Sequence, residues 1–133
     1  MSDKIEIQQV MTPFPHSIGL DQEIKKAAAM MHDLNVRHLP VQEGGKLVGV
    51  ISDRDIKYAS DWNELKPGAL KIEDVYTPNP YVVEPSADLR QVLIHMVKEQ
   101  IGCTLVANNG NKLLGIFTTT DACKYLAYLL EES

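Results

Sequence analysis

The sequence predicts an α+β fold of two pseudo-symmetric β-α-β-β-α repeats packed sheet to sheet. Three observations predict it. First, the stretch Gly49-Val-Ile-Ser-Asp-Arg-Asp55 returns as Gly115-Ile-Phe-Thr-Thr-Thr-Asp121. Second, a wider register links the halves: Val10-Met-Thr-Pro13 answers to Val75-Tyr-Thr-Pro78, 65 positions on, and Val41 meets Val106 at the same distance. Third, each half shows one helical period followed by two short strand-like runs and a second helix. The repeated glycine and aspartate recur at 66 instead of 65, which puts a one-residue insertion in the turn around Asn109-Gly110.

The elements follow in order. Residues 22–34 carry Ile24, Ala27, Ala28, Met31 and Leu34 at the spacing of one helical face, with Asp21 placed to cap the helix. A strand is expected at 38–42, a turn at Glu43-Gly-Gly-Lys46, a strand at 47–51 and a helix at 53–59. Residues 60–72, with Pro67-Gly68, read as a linker. The second copy gives a helix at 87–100 with Leu89, Val92, Leu93 and Met96 on one face, Ser86 as its cap and Asp88 in its first turn. Strands at 103–107 and 113–117 and a helix at 119–130 complete it. Repeat one, with its N-terminal strand and linker, is placed at 1–66 and repeat two at 67–133. A unit of about sixty residues buries little surface alone, so the two are expected to form one module.

Composition narrows the function. The chain has 133 residues and a net charge of −5, with Lys and Arg scattered among acids. That is not the basic stripe of a nucleic-acid binder, and no nucleic acid is expected as a partner. Cys103 and Cys123 make no CxxC pair and suggest neither a disulfide framework nor a zinc site. MSDKIEIQQV lacks the apolar core of a signal peptide, and no apolar run approaches the roughly 18–20 residues that span a bilayer. A cytoplasmic protein without membrane contact is the expectation. His16, His32, His38 and His95 stand at no metal-ligand spacing, and no nucleophile–base pair is visible, so neither a metal nor catalysis is expected. The late stripe Tyr125, Leu126, Leu129 and Leu130 reads equally as core packing or as a dimer contact.

The repeated phrase has two readings. Ser52-x-x-Asp55 and Thr118-x-x-Asp121 fit the pattern of a helix start, which needs no ligand. The same atoms also suit a nucleoside phosphate. A helix mouth offers unpaired N–H groups and partial positive charge to a phosphate, and a carboxylate there can accept from ribose hydroxyls.

With these residues on the page, the chain resembles a CBS-domain pair, or Bateman module, from Val10 to about Leu126. The resemblance rests on "VMTP" and "VYTP", "NVRHLPV", "GGKLVGVISDRD", "NKLLGIFTTTD" and their tandem order. It implies a non-catalytic regulatory module that needs no cofactor. Such a module senses AMP, ADP, ATP or S-adenosylmethionine in the cleft between two repeats, often as a homodimer of pairs acting on a regulated protein. Carried over by residue, Asp55 and Asp121 accept from ribose, and Ser52 and Thr118 contact phosphate, with Arg54 and Thr120 two positions after each hydroxyl. The resemblance groups Thr118 and Asp121 with an adenine pocket at Val10, Pro15 and Val36 and with Arg37 and His38 as phosphate contacts. It groups Ser52 and Asp55 with an adenine pocket at Val75, Pro80, Ile101 and Cys103, beside Gly102. Because "IGCTLV" replaces "VRHLPV", the Thr118/Asp121 site is expected to hold phosphate more tightly. The alternative is a structural dimerisation module with degenerate sites.

Overall fold

Each repeat builds its sheet around one antiparallel hairpin, and then borrows a strand from the other repeat. The computed structural model describes residues 4–65 and 70–132. After a single 3-10 turn at Ile7–Gln9 come β1 (Thr12–Pro13), β2 (Ile18–Gly19), α1 (Ile24–Leu34), β3 (His38–Glu43), β4 (Lys46–Ser52) and α2 (Asp53–Leu65). They are followed by α3 (Ile72–Val75), β5 (Thr77–Pro78), β6 (Val82–Val83), α4 (Leu89–Glu99), β7 (Cys103–Ala107), β8 (Leu113–Thr118) and α5 (Thr119–Glu132).

The chain divides into two compact units that do not coincide with the expected 1–66 and 67–133 halves. One unit is His16–Pro80; the other combines Met1–Pro15 with Tyr81–Ser133. The reason is an exchange of short arms. In the His16–Pro80 unit the strands run β2-β3-β4-β5, with β5 antiparallel to β4 through Gly49↔Pro78 and Val50↔Thr77. In the other unit the order is β1-β8-β7-β6, with β1 antiparallel to β8 through Thr12↔Ile116 and Pro13↔Gly115. The Thr-Pro strand ahead of each repeat thus pairs with the hairpin of the other.

Packing explains why the glycines of the repeated phrase are glycines. A Cβ on Gly49 would sit 2.5 Å from the Thr77 carbonyl oxygen and equally close to the Tyr76 ring; on Gly115 it would run into the Met11 thioether. Close approach of the borrowed arm, not a turn, requires them. Turn chemistry acts elsewhere: Gly44 and Gly45, both at positive φ, close the first hairpin in two residues.

The arms also carry core residues. In the His16–Pro80 unit, Ala27 and Met31 of α1 meet Leu39, Val41, Ile51, Ile56 and the fully buried Ile72. In the other, Leu89, Val92 and Met96 of α4 meet Val106, Phe117 and the fully buried Ile7. On the predicted face of α1, Ala28 and Leu34 are exposed, so the buried stripe is narrower than the spacing implied.

The caps differ from expectation. The N-cap of α1 is Glu23, and Asp21 instead accepts a hydrogen bond from the Gln22 side chain. The cap of α4 is Asp88, whose carboxylate accepts from the Arg90 N–H at 3.0 Å, not Ser86. A turn closed by the Ala87 N–H on the Glu84 carbonyl delays helix entry past Ser86. Helix α2 continues to Leu65, through residues assigned to the linker, because nothing before Pro67 breaks it. Pro67 and Gly68 lie outside the described residues. Among the described residues, no helix is long and apolar enough to cross a membrane.

Candidate functional site

The start of α2 and the start of α5 carry the same constellation, built from the same three sources. The first is the capped helix itself. The Ser52 N–H donates to Asp55 Oδ2 at 3.0 Å, and the Asp55 N–H donates to Ser52 Oγ at 3.1 Å. In the other unit the Thr118 N–H donates to Asp121 Oδ2 at 2.9 Å, and the Asp121 N–H donates to Thr118 Oγ1 at 3.2 Å. The reciprocal helix-start box is therefore real in both copies. Each hydroxyl and each carboxylate is held in one rotamer at a helix mouth.

The second source is the strand before the hairpin turn. Helices α1 and α4 end on Asn35 and Gln100 in the left-handed conformation. The Val36 and Ile101 N–H groups then bond back to Met31 and Met96 at 3.0 and 3.1 Å, a Schellman closure that turns the chain sharply. The next residues reach the second helix: the Asp53 N–H donates to the Arg37 carbonyl at 2.8 Å, and the Thr119 N–H to the Gly102 carbonyl at 3.1 Å. His38 pairs with Ser52, and Cys103 pairs with Thr118, across the two hairpins.

The third source is the borrowed arm. Thr77 Oγ1 donates to Asp55 Oδ2 at 3.3 Å, and Thr12 Oγ1 donates to Asp121 Oδ1 at 3.2 Å. Sequence reasoning used these threonines only as repeat markers and left their hydroxyls out of the site. The available signal was their recurrence at nearly the same offset as the Ser/Thr–Asp phrase.

The expected residues divide between the two units. Val36, Arg37, His38, Ser52, Arg54, Asp55, Val75 and Pro80 belong to the His16–Pro80 unit. Val10, Pro15, Ile101, Gly102, Cys103, Thr118, Thr120 and Asp121 belong to the other. Within their unit Arg37 and His38 stand beside Ser52 and Asp55, because a hairpin pairs residues of one repeat with each other.

The two mouths consequently differ in charge. Around Ser52 and Asp55 lie Arg37, the exposed Arg54, and Lys57, which pairs with Asp53 at 3.1 Å. His38 has its pKa lowered from 6.5, chiefly by burial. Asp55 opposes that shift, Arg37 adds to it, and Asp53 opposes it. At the Thr118 mouth the corresponding positions are Gly102 and Cys103, and burial pushes the Cys103 thiol up to about 12. A thiol so poised is neutral and acts as an apolar wall.

Comparison with known proteins agrees with this architecture. Residues 7–61 and 72–128 each match the CBS domain model, and the chain belongs to the CBS domain family. Its fold matches AcuB of Vibrio cholerae with a TM-score of 0.87 at 30% identity, over 97% of this chain and 95% of that one. The CBS domain pair of protein MJ0100, solved with 5′-methylthioadenosine and S-adenosyl-L-methionine, matches with a TM-score of 0.84 at 26% identity over 94% and 98% of the chains. CBSX2, a CBS-pair protein of Arabidopsis thaliana solved with AMP, matches at 0.81 and 27% over 93% and 97%. Enzymes share only this part: the chain spans 22% of the inosine-5′-monophosphate dehydrogenase of Korarchaeum cryptofilum, at 27% identity over 86% of its own length.

Proposed function

We propose that this chain is a regulatory module that binds an adenine nucleotide or an S-adenosyl ligand at the mouths of α2 and α5. The observation that carries the reading is the doubled constellation of hydroxyl, aspartate and arm threonine, fixed by hydrogen bonds at two helix starts. In each, the hydroxyl faces a phosphate and the aspartate faces a ribose. The adenine-type ligands solved with MJ0100 and CBSX2 support it. The module acts without catalysis, as a cytoplasmic homodimer that signals to a regulated protein. The Arg37, Arg54 and His38 cluster makes the Ser52/Asp55 mouth the stronger phosphate binder.

The test is a thermal-shift series with adenosine, AMP, ADP, ATP, S-adenosylmethionine and GTP. Ligand at about a hundred times its Kd adds roughly 2.7 kcal/mol, a midpoint rise of several degrees for a domain of this size. A rise with adenine compounds and none with GTP is expected. No rise with any adenine compound at millimolar concentration overturns the reading in favour of a structural pair.

A further inference from the structure

We propose that Asn109 is a self-modification site, where the turn shared with Gly110 lets the side-chain amide leave as ammonia and aspartate or isoaspartate take its place. The chemistry is independent of any ligand. Asn109-Gly110 is the one Asn-Gly pair in the chain. It forms the tip of the second hairpin, where the Asn111 N–H donates to the Asn108 carbonyl at 3.1 Å and the Asn108 N–H donates to the Lys112 carbonyl at 3.0 Å. Asn109 and Gly110 are thus the two central residues of a hydrogen-bonded β-turn.

Three features expose the reacting atoms. Both residues are exposed to solvent. The Gly110 N–H, which becomes the nucleophile, donates to no partner among the described residues. No atom lies within 4 Å of where a Gly110 Cβ would stand, and glycine brings no side chain of its own to block the approach. Other asparagines lack these features. After Asn35, the Val36 N–H is committed to the Met31 carbonyl at 3.0 Å, and Asn79 precedes a proline, which has no N–H. The first hairpin turns through Glu43-Gly-Gly-Lys46, which has no amide to lose, so the change marks one repeat alone.

The step needs only a base and water. Hydroxide or a buffer base removes the Gly110 N–H proton, and the nitrogen bonds to the Asn109 side-chain carbonyl carbon. The bond from that carbon to the amide nitrogen breaks, and ammonia leaves with a proton taken from solvent. Water then opens the five-membered succinimide. Cleavage between the Gly110 nitrogen and the side-chain carbon gives aspartate, which keeps the backbone and adds one negative charge. Cleavage between that nitrogen and the main-chain carbon gives isoaspartate, which lengthens the backbone inside the Asn108–Asn111 turn, beside the buried pair Ala107↔Leu113.

The test incubates the folded protein at neutral and alkaline pH and maps its peptides by mass and chromatography. The peptide holding Asn109 is expected to gain the mass of an amide-to-acid change and to split into aspartyl and isoaspartyl forms. The conversion should be faster at the higher pH, while peptides holding Asn35 and Asn79 lag behind. Asn109→Gln, whose ring would need six members, should keep the wild-type thermal midpoint and leave the peptide unchanged. Conversion in urea but not in the folded protein would show that the turn protects the amide, and would overturn the proposal. Conversion of Asn35 at the same rate, or of the same peptide in Asn109→Gln, overturns it as well.

Discussion

Thr12 and Asp121 lie 109 positions apart in sequence, yet the threonine hydroxyl donates to the aspartate carboxylate at 3.2 Å. The same aspartate accepts from Thr118 through its other oxygen, so one carboxylate both starts α5 and anchors an arm from the far end of the chain. Helix start and arm anchor meet on this group, and under the proposed function ribose recognition falls on it as well.

Asp121→Ala should lower stability by about 0.5–2 kcal/mol through loss of the helix-start bonds. It should also weaken a ribonucleotide by about 1.5–3 kcal/mol, the contribution of a charge-assisted hydrogen bond. Titration well below the variant's midpoint separates the two effects. The 2′,3′-dideoxy analogue, which offers no ribose hydroxyl, should lose little. Equal losses for both analogues reduce Asp121 to a structural role.

Gly49→Ala should be more damaging than Gly115→Ala. At Gly49 the added methyl meets backbone, the Thr77 carbonyl, and only movement of the whole arm relieves it, at about 1–3 kcal/mol. At Gly115 it meets the Met11 thioether, which can change rotamer. Urea midpoints of the two variants should rank in that order. The reverse ranking shows that the arms are not held as described.

Thr104 is fully buried and its hydroxyl has no hydrogen-bond partner among the described residues, at the position where the first repeat carries Leu39. An unpaired buried hydroxyl costs about 1–3 kcal/mol, and valine has nearly its shape. Thr104→Val should therefore stabilise the protein by about 1 kcal/mol in denaturant unfolding. A loss of stability would mean the hydroxyl is bonded in solution.

His38 gives stability a pH dependence with a definite sign. Burial lowers its native pKa below the 6.5 of the unfolded chain, with Asp55 and Asp53 opposing and Arg37 adding to the shift. Below 6.5 the unfolded chain therefore binds the proton first. This contribution is fully present above pH 6.5, falls as pH drops through that value, and levels off below the native pKa. The difference in urea midpoint between wild type and His38→Gln should shift in this sense between pH 7.5 and 5. A pH-independent difference rules out the histidine as its source.

Much of this was legible in the sequence because local signals decide it. Cys103–Ala107 is a run bounded by turn residues, and its strand coincides with the expected one. The helix-start boxes at Ser52 and Thr118 also follow from spacing alone. The strand exchange was not legible. Thr12-Pro13 and Thr77-Pro78 are two-residue strands, too short for alternation to name a partner, and the repeat register aligned them with their own halves. The hairpin register within one unit, in which His38 faces Ser52, follows from the repeat itself and needs no family geometry. Thr12 and Thr77 were missed because a hydroxyl next to a proline carries no local mark of what it will bond.

The arm exchange also imposes an order in time. The His16–Pro80 unit is one uninterrupted segment, so all its strands are present once Pro80 has left the ribosome. The other unit needs β1 to meet β8, and Thr12 is synthesised long before its partner Ile116. At about 5–20 residues per second, the first strand waits on the order of 5–20 s for the last. During that interval Ile7 has no core to enter and Thr12 no carboxylate to hold. The nascent chain thus carries one complete set of strands between an unpaired leading strand and an unfinished tail.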